Sequence, residues 1–494
     1  MPPIAPRRAG IVVFGARIAS IFTGLLFIVM VTHTLSTSQF GLLEVVADLV
    51  AFSTYPLGAV NYWSSRQTAR GETVGKTALL GSLLLTVVGI AVFSALAVVR
   101  QSAITGSLGL FVLALSLVPV NYFYSGVNSL LLAHDPEATG YVLLAGELSK
   151  LAVVYPLLFV FRVGIAGAFA ALAVSNLVLG GAGLYYARGT MSGPPSVGRL
   201  KGWLRDAWLP AMNSAPYVVG IADTYIAFLI SGTVLVGYYQ AAFSVAMIVG
   251  YSSYLSYALY PLLLRGAGDR MIATLFDFMM LFGVPMAVGA AALAPELLYL
   301  LSKSYVGTAG PLVILAFSVL AGAVSTVLDR SLMGRERSDL AVEDRFKRLV
   351  RSNLFFVPVA NLVYSAVYLS SVALIVYWGG VASASPETVI AYWAASQLVL
   401  TVILVAVKGR RLGAASFKGT LRPLAFYVGC ALAMGASVRL LAPLLLPTPM
   451  PTIVFGLRLA VVVAVGGMVY FGALAAVDRG SRERFARVWD LLLP

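Results

Sequence analysis

Residues 34–49, TLSTSQFGLLEVVADL, connect two long apolar runs and carry two carboxylates inside an otherwise apolar segment. Much further along the chain, residues 229–244, LISGTVLVGYYQAAFS, nearly repeat this pattern, with Gly237 in the place of Gly41. A repeat of this kind predicts two related helix bundles that begin on the same face of a membrane. Chance similarity between apolar segments is the alternative explanation.

The composition of the 494-residue chain is typical of a membrane protein with many spans. Hydrophobic residues make up 60% of it and charged residues only 11%, whereas soluble domains contain about 25% charged residues. The formal net charge of +14 does not indicate nucleic-acid binding, because the basic residues alternate with apolar runs, as membrane topology requires. The single cysteine excludes an internal disulfide, and two histidines are too few for a histidine-rich metal site.

The apolar runs predict an all-α fold with about fourteen transmembrane helices. We expect them at residues 11–34, 40–64, 76–99, 107–133, 140–161, 164–187, 207–231, 236–264, 271–302, 309–329, 352–378, 387–408, 421–445 and 451–477. The first run is expected to be a retained helix, because it is too long for a signal peptide and has no clear cleavage site.

The positions of the basic residues predict the orientation. If the N-terminus is inside, 27 of the 34 Lys and Arg residues fall in inside segments and three in outside loops. This bias places both termini in the cytoplasm of a multi-pass protein of the cell membrane. No outside loop is long enough to form a catalytic domain.

The predicted domain organisation has two pseudo-symmetric six-helix lobes, at residues 1–187 and 207–408. A Gly- and Pro-containing cytoplasmic linker at 188–206 joins them, and residues 409–494 add two helices and a basic cytoplasmic tail. The inside segment 330–351 is either a short helix at the lipid surface or a solvated linker.

Ionisable residues inside the predicted spans are the first candidates for a functional site, because each costs several kcal/mol there unless it faces a cavity or a partner. Arg17 has a guanidinium that suits phosphate oxygens. Alternatively, it reaches the inner interface or pairs with Glu44 or Asp48. Glu147 and Lys150 are three residues apart on one helix and can pair with each other.

The remaining intramembrane acids are candidates for charge balance or for coupling to a proton or cation. Asp223 and Asp277 have no partner nearby in sequence, so each could also pair with a basic residue of another span. Asp48 lies deeper in its helix than Glu44, which is expected at the interface, as is Asp329. The coupling candidates are therefore Asp48, Glu147, Asp223 and Asp277.

Two polar, aromatic segments contain candidates for sugar contacts. Asn121 and Tyr124 lie in the fourth predicted span, and Tyr254 and Tyr257 lie in the eighth. Such side chains can stack on sugars and bond to their hydroxyl groups. Hydrogen bonding between helices, or a position in an interfacial belt, is the alternative for each of them.

A phosphate-binding motif is suggested by residues 71–77, GETVGKT, but the chemistry does not fit. A P-loop needs four residues between its glycines and a preceding strand, whereas this segment has three and lies between two predicted spans. We therefore expect no bound nucleotide. No catalytic constellation emerges, so we do not expect an enzyme.

Four segments resemble the polysaccharide biosynthesis flippases, which move lipid-linked oligosaccharides across membranes. These proteins belong to the multidrug/oligosaccharidyl-lipid/polysaccharide exporter superfamily, together with the multidrug and toxin extrusion transporters. The order and spacing of the segments carry the resemblance, which covers nearly the whole chain. The segments are 35–52, LSTSQFGLLEVVADLVAF; 221–246, IADTYIAFLISGTVLVGYYQAAFSVA; 259–265, LYPLLLR; and 283–320, GVPMAVGAAALAPELLYLLSKSYVGTAGPLVILAFSVL.

The resemblance implies a flippase that moves a pyrophosphate- or phosphate-linked oligosaccharide by alternating access, through a cationic cavity. Some members need arginines in helices 1, 2 and 8, where this chain offers Arg17, Arg66 and Arg265, the last two at helix ends. With Lys150, these are the candidates for the headgroup site.

The other expected partners follow from the same resemblance. We expect a lipid-linked oligosaccharide substrate, surrounding membrane lipid, a monomer, and no cofactor beyond a coupling proton or monovalent cation. A cation-coupled multidrug exporter is the main alternative function. A membrane glycosyltransferase or polymerase is less well supported, because no large outside loop is present.

Overall fold

The structure, a computed structural model, describes residues 6–99, 108–256, 268–336, 352–413 and 420–477, together with Leu259 and Leu263. Within these residues, thirteen helices are long and apolar enough to cross a membrane, and no strand is present. The predicted all-α, polytopic fold is therefore confirmed.

The helices are α1 (Pro6–Thr34), α2 (Thr37–Thr54), α3 (Gly58–Ala69), α4 (Gly75–Val98), α5 (Leu108–His134), α6 (Ala138–Tyr155), α7 (Ile165–Tyr186), α8 (Val197–Arg205), α9 (Trp208–Gly220), α10 (Ala222–Ser231), α11 (Thr233–Gly250), α12 (Asp269–Ala292), α13 (Ala294–Leu301), α14 (Ala309–Gly334), α15 (Asn353–Val381), α16 (Pro386–Leu412), α17 (Leu421–Leu445) and α18 (Thr452–Val477).

Several predicted spans are interrupted rather than continuous, among them 236–264 at the 3₁₀ segment Tyr251–Ser256 and 140–161 at Pro156. The expected helix 207–231 divides after Gly220 into α9 and α10, and neither part is a span by length. Helix 40–64 has a 3₁₀ turn around Pro56, and helix 271–302 restarts just before Pro295. Proline removes a backbone donor, and glycine weakens a helix interior. These residues explain where the apolar runs break.

The chain forms two compact units, residues 1–237 and 238–494. In unit 1, α1 packs on α6, while α5 packs on both α4 and α7. In unit 2, α14 packs on α16, and α12 packs on α17, which also pairs with α18. The division of the chain into lobes at a linker of residues 188–206 stays a prediction.

The two glycines of the repeated pattern meet in unit 1. A Cβ atom built on Gly41 in α2 would collide with the carbonyl oxygen of Thr233, in the first turn of α11. In the same way, a Cβ on Gly237 would collide with the carbonyl oxygen of Thr37. The hydroxyls of Ser38 and Thr233 lie 2.7 Å apart beside this crossing. Each helix therefore approaches the other at a position where only glycine fits.

The expected linker contains a short amphipathic helix, α8, which is docked on unit 1. Ser196 caps it by accepting a hydrogen bond from the backbone N–H of Arg199 at 3.2 Å. Leu200 and Trp203 are buried, and Leu200 lies directly against the position of Gly81 in α4. Burial of this apolar face holds α8 against the helices of unit 1, while its basic residues stay exposed on the other face.

Replacing Trp203 with alanine is expected to release α8 from unit 1. Loss of a buried tryptophan costs about 3–5 kcal/mol, which exceeds what a nine-residue helix can recover from other contacts. Because local opening exposes backbone to proteases, trypsin should cleave faster after Arg199, Lys201 and Arg205. Leu204→Ala is the matched control, since that side chain is 40% exposed. Equal cleavage of both variants would contradict the docked arrangement.

Candidate functional site

A basic cluster in unit 1 combines four of the predicted site residues: Arg17 on α1, Tyr124 on α5, and Glu147 and Lys150 on α6. The Lys150 ammonium lies 2.8 Å from Glu147 Oε2, so the ion pair expected from their spacing is present. Both Arg17 and Glu147 act electrostatically on the Tyr124 hydroxyl. The structure therefore gathers residues that are far apart in sequence.

Residues of α1 complete the surroundings of this ion pair. Thr23 donates a hydrogen bond of 2.9 Å to Glu147 Oε2, and the Lys150 ammonium lies 5.1 Å from the centre of the Phe27 ring. Glu147 therefore pairs with Lys150 and with Thr23. The guanidinium of Arg17 suits an anion such as phosphate, because its planar fork of donors matches phosphate oxygen atoms.

An acidic cluster in unit 1 joins Glu44 and Asp48 of α2 to Asp223 of α10. Both Glu44 and Asp223 act on Asp48 as like charges, and the Thr224 side chain forms a hydrogen bond with Asp48. Asp48 Oδ2 is buried without a hydrogen-bond partner. Glu44 is less peripheral than expected, because it shares the surroundings of Asp48. Three carboxylates this close can hold a proton or attract a cationic group.

The acids do not form a recognisable metal centre. Across the described residues, no group of three or more His, Cys, Asp or Glu side chains has the arrangement that could hold a metal ion. The coupling proton or monovalent cation expected from the sequence stays a prediction.

The other headgroup candidates lie outside the basic cluster. Arg66 on α3 is exposed and donates a hydrogen bond of 2.6 Å to the Tyr62 hydroxyl. Arg265 lies outside the described residues. The assignment of both residues to a headgroup site stays a prediction.

The sugar-contact candidates divide among three situations. Asn121 and Tyr124 are both on α5 and partly buried. Tyr254 lies in a 3₁₀ segment, Tyr251–Ser256, with its ring 5.6 Å from that of Tyr251. Tyr257 lies outside the described residues. Their role in sugar binding stays a prediction.

Asp277 on α12 has a partner in the C-terminal helices. Tyr427 of α17 donates a hydrogen bond of 3.0 Å to Asp277 Oδ1, and Asp277 is buried. Nearby, Tyr470 of α18 donates a hydrogen bond of 2.9 Å to the carbonyl oxygen of Leu281. Asp277 therefore ties α12 to α17, an arrangement that its sequence neighbourhood did not suggest.

Sequence reasoning missed a buried ionic network in unit 2. Lys408 was counted among cytoplasmic residues and Asp329 was expected at the interface, but Lys408 is completely buried and lies 2.7 Å from Asp329 Oδ1. Lys408 also donates hydrogen bonds of 2.7 Å to Ser325 and to Asn361 Oδ1. The available signal was Asn361, a polar residue in the apolar run of α15.

The fold matches that of transporters of the MOP superfamily. Inward-facing and outward-facing structures of a multidrug resistance MATE family transporter of that superfamily align over 81% and 84% of this chain and 96% of their own, with TM-scores of 0.53 and 0.51 and sequence identities of 13% and 14%.

Among solved structures, the lipid II flippase MurJ, in an inward closed conformation, is also similar. It aligns over 93% of this chain and 96% of its own, with a TM-score of 0.62 and 12% identity. No protein-family model and no curated protein sequence matches the chain. The likeness therefore establishes a shared fold.

Proposed function

We propose that this protein is a flippase that moves a lipid-linked oligosaccharide, joined through pyrophosphate or phosphate, across the cell membrane by alternating access. The basic cluster carries the proposal, because it brings the guanidinium of Arg17 and the Lys150–Glu147 ion pair to the surroundings of one tyrosine, Tyr124. Guanidinium and ammonium groups donate strong hydrogen bonds to the oxygen atoms of an anionic headgroup. The shared fold with a lipid II flippase supports the same class of substrate.

In this proposal, the protein works as a monomer with both termini in the cytoplasm, and it is a transporter rather than an enzyme. It uses no cofactor apart from a coupling proton or monovalent cation. Asn121, Tyr124 and Tyr254 are the described candidates for contacts with the sugars. Arg66 is an additional headgroup contact at the end of α3.

Replacing Arg17 with alanine is expected to slow headgroup translocation about tenfold or more. A hydrogen bond to a charged group contributes about 1.5–3 kcal/mol, and each ~1.4 kcal/mol is a tenfold change in affinity. The measurement is the transfer of a lipid-linked oligosaccharide between the leaflets of proteoliposomes. Arg17→Lys keeps the charge but not the fork of donors, so its rate should lie between those of the wild type and Arg17→Ala.

The matched control for this experiment is Arg199→Ala, which removes a guanidinium from the exposed ion pair with Glu72. Its transport rate should equal that of the wild type, because exposed pairs contribute little. Normal transport by Arg17→Ala would remove Arg17 from the site.

A cation-coupled multidrug exporter is the second candidate function. The acidic cluster of Glu44, Asp48 and Asp223 favours it, because carboxylates attract cationic drugs as well as coupling ions. The same proteoliposomes distinguish the two functions. Export of an amphipathic cation, without translocation of any lipid-linked sugar by the wild type, would replace the flippase with the exporter.

A further inference from the structure

The ionic network around Lys408 joins three helices of unit 2. Its ammonium, on α16, lies 2.7 Å from each of three oxygen atoms, two of them on α14 and one on α15. Asn361 also donates a hydrogen bond of 3.1 Å to Asp329 Oδ2. The three N–H groups of an ammonium thus face three oxygen atoms at once.

A buried ion pair is a poor way to stabilise a membrane span. Removing two charges from water is costly, and well-packed apolar side chains of similar volume usually serve stability as well or better. In addition, ionisable residues within membrane spans are associated with transport and proton movement more often than with packing. The cost of burying Lys408 and Asp329 therefore favours a role beyond holding α14 and α16 together.

The two ends of the ion pair differ in their access to solvent. The Lys408 side chain is 0% exposed, whereas that of Asp329 is 23% exposed. Asp329 Oδ1 also receives no well-aligned hydrogen bond, although it lies beside the ammonium. Oδ1 is itself buried, so the exposed part of Asp329 lies elsewhere on the side chain. A proton arriving from solvent therefore reaches the Asp329 carboxyl group before it reaches Lys408.

The next residue along α14 links this ion pair to a break in another helix. Arg330 donates a hydrogen bond of 3.0 Å to the carbonyl oxygen of Ser253 and another to the Ser256 hydroxyl. Both acceptors belong to the 3₁₀ segment Tyr251–Ser256, which follows α11 directly. The charged groups that act on Asp329 are Lys408 and Arg330, and the charged group that acts on Lys408 is Asp329.

We propose that Asp329 and Lys408 form the proton-binding site that couples the transport cycle to a proton gradient, and that Arg330 transmits the change to the 3₁₀ segment. The proton binds the Asp329 carboxylate and converts it to a neutral carboxylic acid, while Lys408 keeps its own proton. The charge attraction between Asp329 and the ammonium is then lost. α14 moves relative to α16, and Arg330 moves with α14. This inference rests on the proposed transport function.

The first test is the effect of a pH gradient on transport in proteoliposomes. We expect a gradient to accelerate translocation by the wild type and to have no effect on Asp329→Asn, which cannot exchange a proton. Because Asp329→Asn leaves the Lys408 ammonium without its carboxylate, the rate of this variant with a gradient is compared with its own rate without one. A gradient effect that survives in Asp329→Asn would overturn the proposal.

A double variant separates coupling from simple stabilisation. Combining Asp329→Asn with Lys408→Met removes both charges, so it should restore thermal stability relative to Lys408→Met alone. If the pair were only structural, the double variant would also regain the gradient effect, and that result would overturn the proposal. Glu296→Gln with Arg439→Met is the matched control, because it removes a 3.1 Å ion pair elsewhere in unit 2 and should retain the gradient effect.

A second readout needs no transported substrate. In a Cys430→Ala background, Ser253→Cys places a thiol in the 3₁₀ segment without removing the carbonyl that Arg330 binds. We divide the labelling rate of this cysteine at each pH by that of a free thiol under the same conditions, because the reactive species is the thiolate. The ratio is expected to differ between low and high pH, and Asp329→Asn is expected to abolish the difference. A pH effect that persists in Asp329→Asn would contradict the coupling site. Failure of the wild type to move any lipid-linked sugar would instead contradict the proposed function.

Discussion

Replacing Gly41 with alanine should lower the free energy of unfolding by about 1–3 kcal/mol, because overpacking at a close contact forces the surroundings to shift. The added methyl group would meet the carbonyl oxygen of Thr233, with the backbone nitrogen of Gly237 2.8 Å away. A flexible side chain could turn aside, but these atoms belong to the backbone of α11. Denaturant unfolding in mild detergent measures the loss.

The contact between α2 and α11 gives this prediction two internal checks. Gly237→Ala should cause a loss of similar size, because its methyl group would meet the carbonyl oxygen of Thr37. Gly24→Ala in α1 is the matched control, since nothing lies within 4 Å of its added Cβ. That change should stabilise the helix by about 0.5–1 kcal/mol. Equal effects at Gly41 and Gly24 would show that the helices do not cross as described.

Replacing Lys408 with methionine should have a larger effect, a loss of about 3–5 kcal/mol. Removing one partner of a buried ion pair leaves the other charge without compensation, and this costs far more than the pair contributes. Methionine fills nearly the same volume, so the loss reports charge rather than packing. The measurement is again the free energy of unfolding, from denaturant unfolding in mild detergent.

The control for this second prediction removes the other charge. Lys408→Met combined with Asp329→Asn leaves two neutral side chains beside Asn361, so most of the lost stability should return. A double-mutant cycle gives the interaction energy between the two residues. An interaction energy near zero would mean that the 2.7 Å ion pair does not persist in the protein.

The all-α fold could be predicted because long apolar runs leave few alternatives in a membrane. Helix interruptions were harder to predict. Pro56 and Pro295 act on hydrogen bonds of the helix itself, and their positions were available in the sequence. Gly220 gives a weaker signal, because glycine is common inside transmembrane helices that do not break.

The candidate site was predictable where the partners share a helix. Glu147 and Lys150 are three residues apart, so their ion pair follows from helical geometry. Lys408 and Asp329 belong to different helices, and each stands close enough to the end of an apolar run to be taken for an interfacial residue. Only the packing of α14 on α16 brings them together, and a single sequence does not contain that contact.

Asp277 and Asp48 are further residues whose surroundings depend on tertiary packing. Both were recognised as acids inside spans, yet the sequence could not supply their neighbours. The structure gives Asp277 a tyrosine of α17, and it places Asp223 of α10 near Asp48, in addition to the Glu44 that shares its helix. A residue type inside a membrane span therefore indicates that a partner is needed, whereas the identity of the partner depends on tertiary packing.

The crossing of α2 and α11 also limits how this protein can evolve. At Gly41 and Gly237, the nearest opposing atom is a main-chain carbonyl oxygen, and no substitution of the opposing residue removes a carbonyl. A genetic screen for suppressors of Gly41→Ala should therefore return no compensating change at Thr233. The stability lost on substitution of Lys408, by contrast, can be recovered by a second substitution at Asp329. Gly41 and Gly237 are thus expected to accept fewer compensating substitutions than Lys408 and Asp329 during evolution.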